Sequence, residues 1–426
     1  MRSAAAARSR VRGGFRRLRP RSPMRGPWLT SVFASVLLLG LPIVVLTGLL
    51  SYIAYGPQFG QALPAHVGWL RLPQFDWPTR PSWLYRLTQG LHVGLGLVLI
   101  PVVLAKLWSV IPKLFVVPPV RSVAGALERL SLLALVGGIL FEIATGVLNI
   151  QYDYVFGFSF YTAHYWGAWV FVAGFVTHVV IKIPVAVRAL RSRSLRTELR
   201  SGVRDTKPED NDSTGLVAKD PAPATVSRRG ALALVAGGAT LIAVLTVGQT
   251  LGGFLRNFAI LLPRGRSDGD GPNDFQINRT AVAAGITSEQ TGAEWRLTLL
   301  GGPSPVQLSR PQLLSMNQRT AELPIACVEG WSTTEVWTGV PLRDLASAAG
   351  VTDPESARVV SLERSGAFNT AVLQANQVSH PDALLAVQVN GAGLSLDHGY
   401  PARIIVPALP GVHNTKWVQS IEFRSA

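Results

Sequence analysis

Residues 325–345 read IACVEGWSTTEVWTGVPLRDL, a short apolar strand-like run, a turn, and a second strand-like run. Cys327, in that turn beside Glu329, Gly330 and Trp331, is the single cysteine of 426 residues. A lone thiol is most often a small buried hydrophobe. It acts as a nucleophile when a neighbouring base lowers its pKa, but no residue from 325 to 342 is His, Lys or Arg. It acts as a metal ligand where one thiolate is enough, since a single cysteine builds neither a disulfide framework nor a multi-thiolate zinc site. The turn alone leaves the three readings open.

Outward from this turn the texture is uniform. Trp295–Leu300, Leu323–Val328, Ala357–Leu362, Ala386–Val389 and Arg403–Val406 read as strands separated by Gly, Pro and Asn, and Leu342–Ala349 is the clearest helix. The turn-rich stretch GDGPND opens this region, so residues 270–426 are expected to form one extracytoplasmic domain of mixed α/β or mostly β type. It holds ten Lys+Arg against fourteen Asp+Glu, although the whole chain carries a formal charge of +15.

The basic excess lies elsewhere, and so does most of the hydrophobicity. Five apolar runs are long enough to span a bilayer: Trp28–Ile53, Leu84–Trp108, Leu127–Ile150, Phe160–Ile183 and Gly230–Phe254. They predict a membrane bundle of four helices over 28–183 and a fifth anchor helix over 230–254. Nine arginines and no acid precede the first run, in residues 1–27. A nucleic-acid arm is the rival reading of such a segment, but the apolar run that follows favours a positive-inside signal and no nucleic-acid partner. Lys106, Lys113, Arg121 and Arg129 flank the second connection, and eleven Lys+Arg against six acids fill Lys182–Arg229. This bias places the N-terminus and the segment 184–229 in the cytoplasm of a bacterial cell and sends residues 270–426 outside. Residues 184–229 are polar and Pro-containing, and are expected to be a disordered linker. The linker ends at Arg228 and Arg229, before a Gly/Ala-rich apolar run. The pair reads either as a twin-arginine export signal or as a positive-inside anchor.

Three histidines lie within the apolar runs, where an unpartnered imidazole is costly and therefore a functional candidate. His92 on the second run and His164 on the fourth enter at similar depth and are expected to ligate one haem b iron axially. The rival reading is a hydrogen bond between helices. His178 lies about 21 Å beyond His164 along the axis, on nearly the same side, and is the candidate for a second haem. Glu142, on the third run, is a candidate proton acceptor at a quinol site, or a neutral carboxyl bonded to a neighbouring helix. The histidine arrangement resembles the di-haem cytochrome b subunits of formate dehydrogenases and hydrogenases. That family needs a further histidine on span one, which this sequence lacks.

The turn around Cys327, followed by LDHGYPARIIVPALPGVHNTKWVQSIEF at 396–423, resembles the molybdopterin-binding domain of the sulfite oxidase family. It is most similar to the bacterial branch that includes the catalytic subunit of periplasmic methionine sulfoxide reductase, and the resemblance covers essentially 272–426. It implies that Cys327 ligates molybdenum. It further implies that His398 and Arg403 hold the pterin and its phosphate, that Asn414, Thr415 and Lys416 close over the phosphate, and that Ser361 contacts the cofactor. Trp331 is expected to line the pocket. The sulfite-oxidising members carry arginines soon after their cysteine; here the next basic residue is Arg343, and Glu329 stands where a dianion would approach.

Together these readings predict a membrane-bound oxidoreductase carrying Mo-molybdopterin and haem b. It would pass electrons from the quinone pool to a small or protein-bound sulfoxide or N-oxide outside the membrane. Sulfite-type oxidation in the reverse direction, and a non-catalytic haem electron-transfer or sensor protein, are the alternatives.

Overall fold

A computed structural model describes residues 21–56, 63, 65–114, 122–150, 155–210, 215–261, 271–366 and 368–425. Most of the arginine-rich segment 1–27, and parts of the connections expected at 109–126, 184–229 and 254–270, lie outside the described residues.

Five helices are long and apolar enough to cross a membrane: Pro27–Ala54, Leu84–Ile111, Gly125–Asn149, Phe160–Ser192 and Arg228–Leu251. They fall on the five expected runs. The second is not one uninterrupted helix. It divides into Leu84–Val98 and Ile100–Leu114, at Pro101, which lacks the N–H that would continue the ladder. The chain forms two compact units.

One unit comprises residues up to Pro42, Gly96–Ile143 and Trp166–Ala243. It contains much of the segment expected to be a disordered linker, which carries order at two points. The fourth span continues to Ser192, and a further helix covers Leu195–Arg200. Glu198 holds both together through Arg193 at 2.9 Å and Arg228 at 3.3 Å. Arg228 is 1% exposed and also donates to the carbonyls of Pro23 and Lys207. The charged composition that signalled a linker is consumed in burying one arginine with an acid and two carbonyls. Composition along the chain cannot show that pairing.

The other unit comprises Ile43–Leu95, Ala144–Tyr165 and Val244 onward. A small hairpin of β1 (His66–Val67) and β2 (Leu70–Arg71) lies between the first two spans. The C-terminal part is built on two five-stranded sheets. Its strands are β3 (Arg296–Leu300), β4 (Val306–Ser309), β5 (Arg319–Ala326), β6 (Ser332–Pro341), β7 (Ser356–Ser361), β8 (Thr370–Gln374), β9 (Leu384–Val389), β10 (Ala392–Gly393), β11 (Arg403–Ile405) and β12 (Val418–Arg424). One sheet runs β10-β9-β6-β5 with β11 also on β9, and the other runs β4-β3-β12-β7-β8. Among the described strands, β12 and β3 pair in parallel and the other strand pairs are antiparallel; Ala326 also forms an isolated parallel bridge with Pro410.

Strand β9 reads LLAVQV and shows why the first sheet is buried on both faces. Leu385 and Val387 join the core shared with Leu297, Val359, Ile421 and Phe423 of the second sheet. Leu384 and Ala386 join a separate cluster with Phe275, Ile325, Cys327, Trp331 and Trp337. Side chains alternate along a strand, so a strand covered on both faces reads as a continuous apolar run. Cys327 therefore belongs to the face of the first sheet that points away from the inter-sheet core.

Candidate functional site

Strands β5 and β6 are joined by the five-residue turn Cys327–Trp331, closed by Cys327 N–H to the Trp331 carbonyl at 2.9 Å and Gly330 N–H to the Cys327 carbonyl at 3.0 Å. Gly330 has φ +89°, a conformation that side chains disfavour. Opposite the turn, the loop 411–413 approaches so closely that a Cβ on Gly411 would lie 2.8 Å from the Ala326 carbonyl. Gly411 lets this second loop meet the cysteine strand.

The result is a cavity lined by Cys327, Trp331, Ser361, His398, Arg403, Asn414, Thr415 and Lys416. All eight residues proposed from the sequence for the molybdopterin site thus face one space, though they are drawn from positions up to 89 residues apart. The sequence reading missed the other lining residues Phe275, Gln276, Ile277, Asn278 and Arg279, with Glu363 and Phe368. Phe275 stacks on His398 with ring centres 3.7 Å apart. The only hint in the sequence was a polar stretch just past the GDGPND linker, with no charge pattern to mark it.

Arg403 is 3% exposed and lies over the Trp337 ring at 5.1 Å. It donates to the carbonyls of His398 and Asn414, so it braces the two loops that carry those residues as well as facing the cavity. Lys416 does the same for Arg279 and Asp397, whose carbonyls accept from Nζ at 2.5 and 2.9 Å. Ser361 Oγ donates to the Lys416 carbonyl at 2.8 Å and fixes that residue's backbone. Burial pushes the Arg403 guanidinium down to about 9. Burial and the neighbouring Arg403 charge push Lys416 down to about 7. His398 falls to about 3 for the same reasons, so its imidazole is neutral. Two cations held against their desolvation cost make a receptor for an anion.

The side chains agree with that reading. Arg403 Nε, Arg279 Nε, Asn414 Nδ2 and Trp331 Nε1 are buried and have no hydrogen-bond partner among the described residues. Buried donors in folded proteins are normally satisfied, so four unsatisfied N–H groups around one cavity fit a polar, anionic group such as a pterin phosphate.

Glu329 departs from expectation. It is 5% exposed and is not among the residues lining the cavity.

Among the apolar spans, His92 and His164 come together with ring centres 6.2 Å apart and planes at 85°. His92 Nδ1 pairs with the Val44 carbonyl at 2.9 Å and His164 Nδ1 with Thr145 Oγ1 at 3.0 Å. His178 falls in the other compact unit, to which the sequence gives no second histidine. Glu142, in that same unit, packs half-buried against Gly167 of the fourth span.

Residues 284–426 match the family model described as the oxidoreductase molybdopterin binding domain. The chain is 31% identical over 125 residues to a sulfite oxidase of Arabidopsis thaliana, covering 25% of this chain and 32% of that protein. It is 30% identical over 132 residues to the uncharacterized oxidoreductase YuiH of Bacillus subtilis, covering 30% and 65% respectively. It is 39% identical over 98 residues to an NADPH nitrate reductase of Phytophthora infestans, covering 22% and 11%. The chain thus spans less than two thirds of the length of each of these relatives. Its C-terminal part is a molybdopterin-binding oxidoreductase domain similar to those of sulfite oxidases and nitrate reductases, and it is preceded by helices compatible with a membrane protein.

Proposed function

We propose that the protein is a membrane-bound molybdenum oxidoreductase that carries electrons from the quinone pool, through one haem b, to a sulfoxide or N-oxide outside the cytoplasmic membrane of a bacterium. The observation that carries this reading is the cavity that joins Cys327 to Arg403, Asn414 and Lys416, with unsatisfied donors around it. When bound there, molybdopterin supplies two-electron oxygen-atom transfer. Cys327 is the protein's thiolate ligand; Arg403 and Lys416 bind the phosphate while fixing the loops beside it. Trp331 shields the reacting side from water. No residue from Val328 to Leu342 is basic, which favours a neutral oxide over a dianion such as sulfite.

His92 and His164 fit a single haem. A metal held between two imidazole nitrogens at about 2 Å each puts the ring centres about 6 Å apart, and the observed separation is 6.2 Å. Each ring engages Nδ1 with an oxygen, as ligating histidines commonly do, and Nε2 would be the atom to meet the iron. Haem supplies one-electron carriage between a quinol and the molybdenum site. Glu142 is proposed to take a proton from the quinol. The arginine-rich N-terminus and the basic flanks of the second connection support a cytoplasmic N-terminus.

The experiment is metal and haem analysis of the full-length protein from a host that makes molybdopterin, followed by an oxide screen with a reduced dye as donor. Stoichiometric molybdenum, a b-type haem band and turnover of a sulfoxide or N-oxide are expected. Molybdenum near zero would sink the assignment, and dye reduction by sulfite would reverse its direction.

A further inference from the structure

The turn that carries Cys327 is clasped by three of the spans. Gln89 of the second span, 4% exposed, donates from Nε2 to the Val328 carbonyl at 2.6 Å and accepts at Oε1 from Ser51 Oγ of the first span, also at 2.6 Å. Thr250 of the fifth span donates to the Gly330 carbonyl at 2.6 Å, and Ser332 donates back to the Thr250 carbonyl at 2.7 Å. Gly330 lies so near the second span that a Cβ there would come within 2.9 Å of Val93, the residue that follows His92.

We propose that Gln89 is the bonded bridge between the helix carrying His92 and the turn carrying Cys327, and that it sets the rate at which electrons pass between groups held at those two residues. The inference rests on the reading of His92 and Cys327 as haem and molybdenum ligands. Gln89 precedes His92 by three residues, so the two are neighbours on one helix face. Val328 is covalently joined to Cys327. A single hydrogen bond therefore closes the whole path, and electrons tunnel further through covalent and hydrogen bonds than across van der Waals gaps. The competing path is aromatic: His164 to Phe160 at 5.0 Å, Phe160 to Tyr161 at 5.5 Å and Tyr161 to Phe368 at 5.1 Å. Its step from Tyr161 to Phe368 crosses a gap between rings of residues far apart in the chain. A buried amide is also costly unless both of its ends are bonded. Gln89 has both ends bonded, and an apolar side chain of the same size would fill the space without the bond. Each passage moves one electron. Two passages and two protons convert one sulfoxide or N-oxide to the sulfide or amine and one water.

The test uses the full-length holoprotein without substrate. A flash-generated deazaflavin radical reduces the haem, and the haem band then reports the electron leaving for molybdenum. Gln89→Met is nearly isosteric and lacks the donor; Gln89→Leu lacks it as well. Both are expected to slow this transfer at least tenfold with haem and molybdenum contents unchanged. Spin coupling between Mo(V) and ferric haem supplies a second readout: its exchange part falls in both variants, while its dipolar part, which reads the distance, stays the same. A transfer rate unchanged in both variants overturns the proposal. So does a dipolar part that moves with the rate, because Gln89 then acts only by placing the turn. Slowing by Phe368→Leu but not by Gln89→Met assigns the path to the rings and overturns it as well. Wild-type protein without haem or without molybdenum would instead refute the underlying ligand assignments.

Discussion

The imidazoles of His92 and His164 lie 6.2 Å apart between ring centres with 85° between their planes, although 72 residues separate them in the chain. Each is steadied from behind by an oxygen on another helix segment, Val44 for His92 and Thr145 for His164. His92→Ala is expected to abolish the b-type absorption band of the purified protein while dye-driven oxide reduction at the molybdenum site continues. Full retention of the band would show that these histidines only bond between helices.

Cys327 is expected to fix the metal. Cys327→Ser should remove the Mo(V) paramagnetic signal and leave the haem band intact. The substitution is close to isosteric, so the melting temperature should move little. An unchanged Mo(V) spectrum would contradict ligation by this thiolate.

Arg403 and Lys416 should matter both for holding the cofactor and for the loops around it. Arg403→Met removes a guanidinium that bonds the His398 and Asn414 carbonyls. Hydrogen bonds from a charged donor contribute about 1.5–3 kcal/mol each. Molybdenum occupancy after dialysis is therefore expected to fall at least tenfold; occupancy equal to wild type would contradict the assigned role.

Lys416 also predicts a pH dependence. Its folded value is about 7 in the cofactor-free site, against 10.5 for an ordinary lysine. Between those values the unfolded chain binds the proton and the folded chain does not, so the cofactor-free protein gains stability as pH rises through that window. Below about 7 both states are protonated and the cost of the buried charge is fully present. A bound phosphate reverses the preference by favouring the charged form, so cofactor retention should weaken as pH rises above 7. Melting curves of cofactor-free protein from pH 6.5 to 10 should slope upward for wild type and less so for Lys416→Met. Equal slopes would remove Lys416 from the account.

In the other compact unit, Arg228 is expected to be structural. Removing one partner of a buried ion pair costs about 3–5 kcal/mol, and Arg228 is 1% exposed against Glu198. Arg228→Gln and Glu198→Gln should each destabilise the purified protein by a similar amount. Loss of membrane delivery in Arg228→Gln alone, with an unchanged melting temperature, would favour the export reading of the arginine pair.

The sequence by itself determined the elements that depend on local pattern. The five spans follow from uninterrupted apolar length, and the short strands follow from apolar runs broken by Gly, Pro and Asn. Cys327, Trp331 and the cavity residues between His398 and Lys416 were legible because two motifs carried them, whereas Ser361 lies in neither. The tertiary structure decided everything that depends on partners. It showed that Arg228 is buried by an acid 30 residues earlier, that Phe275–Arg279 lines the cavity, and that Gln89 reaches the Cys327 turn across 239 residues. Hydropathy and periodicity report that a side chain prefers to be covered, and on which face of its own helix or strand. They carry no information about which distant segment supplies the cover, because that choice is made by the packing of the whole chain.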